Sequence, residues 1–364
     1  MWTHFICDTT TGAKRLQVNP AAGSFAALVS DIGGGSHSFQ VRDSGIDAAT
    51  WRDVIYPWKN TVVQCWNGVP RYAGLVVGST LDRGTGTLTV QHKELRLLLN
   101  RRFPFRIGGE RTPDGALTIA SRSLRGLLVE VVRAGVYKPD DVGGWNLPVT
   151  LPPSEAGGYA ATFHNYDFVT IENAIDEIES REGGPDVVFE PRFVDDRLDW
   201  LLRVGAPRLS GSVYDFPMNV PEPMLTDASP TDDGSAMLTG VFAIGKGSEA
   251  DMRVGEAGDR GLRVPGTPFL DSSRAFKEID DVGLLTSHGY AELDAHARPT
   301  TQWDAGYRVD QTYGDGPLRL GSTVRMRYAR DWWEGTRGVD QYLIGVRGDL
   351  TPAVRFDLQP FGSL

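Results

Sequence analysis

Two cysteines, Cys7 and Cys65, are all that these 364 residues contain. That is too few for a disulfide framework and poorly suited to a thiolate metal site. Cys65 sits inside a strand pattern, where a small buried hydrophobe is expected. Positive charge is equally sparse. The chain has 37 Lys and Arg against 47 Asp and Glu, for a net charge of −10, and no polybasic block. Tight, sequence-independent DNA binding needs a basic face that releases counterions, and this composition does not supply one. An acidic surface instead favours solubility, and could line a passage through which nucleic acid slides without sticking. No run approaches the roughly 20 apolar residues of a membrane span. Met1-Trp2-Thr3-His4-Phe5 lacks the basic and apolar regions of a signal peptide. A soluble protein made in a cytoplasm is the expectation.

Catalytic patterns are missing too. No His-Glu-x-x-His, no Gly-x-Ser-x-Gly and no Cys–His pairing occurs. Gly240-Val241-Phe242-Ala243-Ile244-Gly245-Lys246-Gly247 nearly spells a phosphate loop. Gly247 stands where Ser or Thr should hold magnesium, and the intervening residues are apolar and strand-like. Arg347-Gly348-Asp349 reads as a turn between strands. His288 and His296 are eight residues apart, about two helical turns, and read as helix-surface histidines. Asp195-Asp196, Asp232-Asp233 and Asp280-Asp281 are adjacent acids of the kind found at solvated loop tips, unlike a glycosidase pair set across a cleft. No catalytic residue, cofactor or metal ligand is assigned. Trp332-Trp333-Glu334-Gly335 is the one candidate patch: Trp332 and Trp333 form an interface or sugar-stacking site, or else anchor a core.

What is present is globular and turn-rich. Hydrophobic residues make up 40% and charged residues 23%, which argues against wholesale disorder. The 43 glycines suit many turns between short strands, and nine Trp with eleven Tyr suit sheets and interfaces. Thr61–Trp66 and Arg71–Gly78 flank Asn67-Gly68, a two-residue hairpin signal. Thr87–Gln91 makes a third strand, and Lys93–Leu99 turns helical. With Trp2–Cys7, Lys14–Val18 and Ser38–Val41 these give a small barrel or sandwich over residues 1–105. Residues 106–212 read as an α+β unit. It has a helix within Ile119–Val136, an irregular Gly/Pro-rich stretch from Asp140 to Gly158, and a helix over Val169–Arg181 capped near Thr170. A hairpin of Val187–Pro191 and Leu198–Val204 follows. Residues 213–364 return to β. Ala236–Ile244 is strand-like, Arg253–Arg263 is an exposed excursion, and Ser273–Val282 and Ser287–Ala297 are helices. Strands close the chain at Gln302–Thr312, Thr323–Tyr328, Tyr342–Arg347 and Ala353–Gln359. The expected fold class is mainly β with an α+β insertion.

The order of these segments resembles the minor tail proteins of siphophages infecting actinobacteria, in particular the tail hubs at the end of the tail tube. The likeness rests on Val69-Pro70-Arg71-Tyr72-Ala73-Gly74-Leu75-Val76, then Leu88-Thr89-Val90 and Glu94–Arg102. It rests also on Gly289–Pro299 followed by Leu320-Gly321-Ser322-Thr323-Val324-Arg325, where Ser322-Thr323 replaces the Asp such hubs carry. The segment Ala174–Asp186 is similar to the hub's α+β domain. The resemblance implies two tail-tube-like β-barrel domains flanking the α+β domain. It implies a homotrimer that continues a sixfold tube, joins it to distal tail, tail-tip and fibre proteins, and lets DNA pass without specific binding. The location implied is the virion tail. Some tail-tip proteins carry a peptidoglycan hydrolase, and a last strand ending near Gln359 leaves no room for one here, so no enzymatic activity is expected. A carbohydrate- or receptor-binding tail protein, using Trp332 and Trp333, is the alternative, and a hydrolase with scattered acids is a more remote one.

Overall fold

The computed structural model describes residues 1–42, 44–107, 111–140, 144–261, 263–310 and 319–360. The last residues expected for the strand over 302–312 lie outside this range, as do Phe361, Leu262 and residues 141–143. The molecule is mainly β, with 45% strand and 15% helix.

The first region contains β1 (Trp2–Asp8), β2 (Lys14–Val18), β3 (Ala22–Leu28) and β4 (Gly34–Gln40), then helix α1 (Ala48–Val54). β5 (Asn60–Trp66), β6 (Val69–Asp82), β7 (Thr87–Lys93) and the short helix α2 (Arg96–Leu99) follow. Asn67 and Gly68 take φ values of 51° and 82°. Their twist suits a tight hairpin, and Trp66 opposes Val69. Helix α1, which the sequence pattern hides, starts because Asp47 accepts from the N–H groups of Ala49 (2.8 Å) and Thr50 (3.0 Å). It buries Trp51 and Val54. Strand β3 was not anticipated either. Its Ala-Gly-Ser-Phe-Ala-Ala-Leu has no β-branched residue, and it is extended because β4 holds one edge and a strand from the far end of the chain holds the other.

The second region runs β8 (Ala116–Arg122), α3 (Leu124–Val136), β9 (Val149–Thr150), β10 (Tyr159–His164), α4 (Ile171–Glu179), β11 (Val187–Val194) and β12 (Arg197–Val204). Ile119 belongs to β8, not to the helix, which begins where the Ser123 hydroxyl accepts from Gly126 N–H. Thr170 caps α4 at Asn173 N–H (3.2 Å). Leu127, Leu128, Val129, Val131 and Val132 are all fully buried, so α3 is enclosed on nearly every side.

The third region runs β13 (Val213–Pro217), β14 (Leu225–Asp233), β15 (Gly240–Ile244), β16 (Val254–Gly258), β17 (Asp271–Ala275), α5 (Val282–His296), β18 (Thr300–Arg308), β19 (Thr323–Asp331), β20 (Gly335–Asp349) and β21 (Ala353–Pro360). The helix expected over Ser273–Val282 is replaced by β17, which pairs parallel with β15. The helix starts instead at Asp281, whose carboxylate accepts from Leu284 N–H (2.7 Å). The excursion expected over Arg253–Arg263 contains β16, paired antiparallel with β15.

Thirteen strands form one sheet in the order β14-β18-β21-β20-β3-β4-β7-β6-β5-β1-β2, and β19, itself paired with β13, also pairs with β20. Strand β3 joins the two halves, with Leu28 opposite Gly345 and Phe25 opposite Gly348. A Cβ at Gly348 would sit 2.7 Å from the Phe25 ring, so only glycine lets the strands meet here.

Two buried polar clusters set the seams. Arg96, 3% exposed, bonds Glu172 (2.8 Å), Asp176 (3.1 Å) and Glu179 (2.9 Å), tying α2 to α4. Burial works against the charge of Arg96, but Glu179 and Glu172 outweigh it and raise its pKa. The second cluster lies inside the first region. The Tyr72 hydroxyl is 2.7 Å from His92 Nδ1, and His92 Nε2 is 2.7 Å from His37 Nδ1. Both contacts are satisfied by neutral rings when Tyr72 donates to His92 and His92 donates to His37. The His4 ring packs edge-on against His37, 5.0 Å between centroids.

Replacing Arg96 with Met leaves Glu172 charged and buried, and is expected to cost roughly 3–5 kcal/mol, read from the urea midpoint. Adding Glu172→Gln should return part of that loss. Unaltered stability in Arg96→Met would refute the seam. Burial pushes His4 down to about 4 from 6.5, so the unfolded chain takes a proton near pH 6.5 that the folded chain refuses until about 4. The His4 contribution is therefore intact above pH 6.5 and lost as pH falls through it. At pH 5, His4→Phe should gain about 2 kcal/mol relative to the parent, compared with pH 7. Burial raises Glu94 to about 8 and Glu179 to about 7, and these titrate oppositely but cancel in that difference. A parent–variant difference flat with pH would show that His4 does not titrate this way.

Candidate assembly surface

Trp332 and Trp333 occupy the three-residue loop between β19 and β20, where Asp331 opposes Gly335. The loop closes because the Asp331 carboxylate accepts from the N–H groups of Trp333 (2.9 Å) and Glu334 (2.8 Å). Those two bonds, the Glu334 one foremost, hold the Asp331 pKa below its ordinary value. Gly335 follows at φ +69°, the left-handed residue that three-residue hairpins place after a type I turn. Glu334 is tied in turn to Arg337 (2.7 Å). A polar frame thus fixes the loop without using either indole.

Both rings face outward. Trp332 is 89% and Trp333 71% exposed, and they meet edge to face at 5.6 Å. The core-anchor reading of this pair is therefore corrected. Large rings standing in solvent on a fixed loop are the kind of side chain that dominates protein interfaces when covered.

Around the hairpin the sheet carries cross-strand Arg–Asp pairs. Arg325 grips Asp340 with two bonds of 2.6 and 2.7 Å, and Arg327 meets Asp215 at 2.6 Å. Arg355 meets Asp304 at 2.8 Å and Arg347 meets Asp357 at 2.9 Å. Each of these four arginines is matched by an aspartate, so the pairs add charge to the surface in balance.

The other singled-out residues scatter. Gly240–Ile244 is the middle strand of a three-stranded sheet, and a single 3-10 turn at Glu249–Asp251 stands where a phosphate loop needs a helix. Arg347-Gly348-Asp349 is strand, not turn, since β20 runs through it. His288 is buried, not on the helix surface: its ring stacks on Phe276 at 4.7 Å and its Nδ1 lies 3.1 Å from Ser180 O. His296 Nδ1 lies 2.9 Å from Glu292 O. Asp195 and Asp196 form the β11–β12 turn at φ 49° and 63°. Asp232 and Asp233 end β14, Asp281 caps α5 and Asp280 pairs with Arg253 (3.2 Å). Cys65 is buried, and burial pushes its thiol up to about 12. Among the described residues, no three His, Cys, Asp or Glu side chains are grouped to hold a metal ion, and no helix is long and apolar enough to cross a membrane.

No family model matches the sequence, and no curated protein matches it. Solved structures do share the fold. The 43 kDa tail protein of prophage MuSo2 from Shewanella oneidensis is similar over 98% of this chain and 97% of its own, at 9% identity and a TM-score of 0.59. A tail protein from Neisseria meningitidis MC58 is similar over 99% and 97%, at 10% identity and 0.57. The prophage tail protein gp18 from Listeria monocytogenes EGD-e is similar over 98% and 94%, at 12% identity and 0.53. The chain thus has the fold of these tail proteins end to end.

Because neither indole contributes to the core, Trp332→Ala and Trp333→Ala should each change folding stability by no more than about 0.5 kcal/mol, measured by denaturant titration. A loss above about 2 kcal/mol would return them to the core.

Proposed function

We propose that the chain is a structural protein of a bacteriophage tail. The observation that carries this is the end-to-end likeness of fold to three tail proteins, two of them from prophages, with 94–97% of each of those chains covered. Fold alone does not fix function, and three features of this chain support the reading. The cross-strand Arg–Asp pairs give a charged but balanced face, the net charge is −10, and a pair of exposed rings stands at a hairpin tip.

Within that reading the role is a tail hub of siphophage type. It joins the tail tube to the tip or baseplate, works in the virion tail, contacts distal tail and fibre proteins, and does so without catalysis. Residues 1–105 and 213–364 act as two barrel-like halves linked through β3 and β20, with residues 106–212 as the α+β unit. A homotrimer then presents six such halves to a sixfold tube. DNA passes without specific binding, since net negative charge repels phosphate.

A second reading has its own observation. Exposed Trp332 and Trp333 suit stacking on a sugar ring, so the protein binds a carbohydrate or receptor at the tail tip.

Gold-labelled antibody against the chain, imaged on particles from a lysate that contains it, is expected to mark the tail tip, with a trimer mass for the isolated or tip-extracted protein. Label on fibres, with cell-wall glycan binding lost in Trp332→Ala, would transfer the role to the second reading. Absence of label from particles would remove both.

A further inference from the structure

The turn from Val29 to Gly33, between β3 and β4, is a junction of all three regions. Val29 N–H donates to Ile344 O of β20 (2.8 Å), which extends the β3–β20 pairing by one bond. Ser30 N–H donates to Val187 O of β11 (2.9 Å), and the Ser30 hydroxyl accepts from Val187 N–H (3.0 Å). Gly33 N–H donates to Glu94 Oε2 (2.7 Å). Ser30 sits at φ 53°, a conformation that a residue other than glycine keeps only when its surroundings hold it there. Val29 packs against the apolar core, and polar links fasten the rest of the turn.

Those links end in a cluster that carries too much negative charge. Glu94 lies beside the Arg96 seam, and Arg96 already answers Glu172, Asp176 and Glu179. Asp31, in the turn itself, opposes the ionisation of Glu94, Glu172 and Asp176 by its own charge. Glu172 Oε2 is buried with no hydrogen-bond partner, so part of the anionic charge is left unsolvated. On the sheet side the charge of Glu94 reaches Tyr72, Lys93 acts on His92, and Arg71 shares a cleft with Glu94. Farther along α4, Glu177 is held by Arg181 (2.8 Å), and His288 Nδ1 lies 3.1 Å from Ser180 O. Among the described residues, no three of these acids are grouped to hold a metal ion. A proton is the cation that fits.

Glu179 and Glu94 are the groups placed to hold it. Burial pushes Glu179 up to about 7 against the pull of Arg96, and Glu94 up to about 8 against the pull of Gly33 N–H. A neutral Glu94 still accepts from Gly33 N–H through its carbonyl oxygen, so that bond survives protonation. Ionising either group adds negative charge beside Asp31. Swinging the turn into solvent relieves both the repulsion and the burial.

We propose that the Val29–Gly33 turn is a proton-operated latch, closed while a proton is held on Glu179 or Glu94 and opened when that proton leaves. Opening frees the turn from β11 and frays the β3–β20 pairing at Val29, while Ile171, Ile175 and Ile178 keep α4 in the core. With the latch open, both carboxyls ionise near their ordinary 4.5, whereas closed they hold protons to about 7 and 8. The closed form therefore has its full advantage below pH 4.5 and loses it as pH rises to 7–8, with no further loss beyond. The proposal does not depend on a place in a phage tail.

The test is amide hydrogen exchange of the full chain from about pH 5.5 to about pH 9, each rate divided by its intrinsic value. Protection of the Val29, Ser30 and Val187 N–H groups should fall about tenfold or more by about pH 8 and then level off. Amides of β5 should stay at least about a hundredfold better protected than the turn at that pH, which marks the opening as local. Glu94→Gln combined with Glu179→Gln should remove most of the fall. It should also leave the turn better protected than the parent at about pH 8, a gain that an unfolded variant cannot mimic. Carboxyl-carbon NMR should show side chains titrating between about pH 6 and about pH 8.5 in the parent that the double variant lacks. Protection that does not change with pH, the same fall in the double variant, β5 exchanging at the rate of the turn, or no carboxyl titrating above about pH 6 would each overturn the proposal.

Discussion

The pairing of β3 with β20 is the constraint on which the rest of the structure hangs. It brings residues near the start of the chain against residues near its end, and turns two runs of strands into a single sheet of thirteen. Loop closure over such a separation is entropically costly, though the cost grows only slowly with length. The compensation is local and visible. Phe25 and Ala27 of β3 join the buried cluster of Trp303, Tyr307, Tyr342 and Phe356, together with Trp2, Trp66 and Tyr72 from the first region. A core shared this way cannot be divided cleanly between the ends of the chain. Contacts of such long range also predict slow folding for this topology.

The polar seams depend on that arrangement. Arg96 can satisfy three carboxylates because α2, at the end of the first run of strands, is laid against α4. His37 and His92 can share a proton because β4 and β7 are neighbours, in the register that sets Gly35 opposite His92 and His37 opposite Val90. Neutral histidines need no counterion in the core, whereas a buried charge without a partner would cost several kcal/mol. The two clusters therefore solve the same problem differently, one by pairing charge and the other by avoiding it.

Local pattern made much of this legible in the sequence. β5, β6 and β7 could be read from β-branched and aromatic runs around Asn67-Gly68, and α4 from Thr170 and the spacing of Ile171, Ile175 and Ile178. What stayed hidden owes its form to partners. β3 is built of small residues, and β14 carries Pro230 and a run of acids that suit an edge strand. β17 has every residue exposed and is a strand only because β15 lies beside it. The candidate surface was half legible. Two adjacent tryptophans in a loop were conspicuous, but nothing in the spacing told exposure from burial. The answer came from Asp331, which closes the turn by itself.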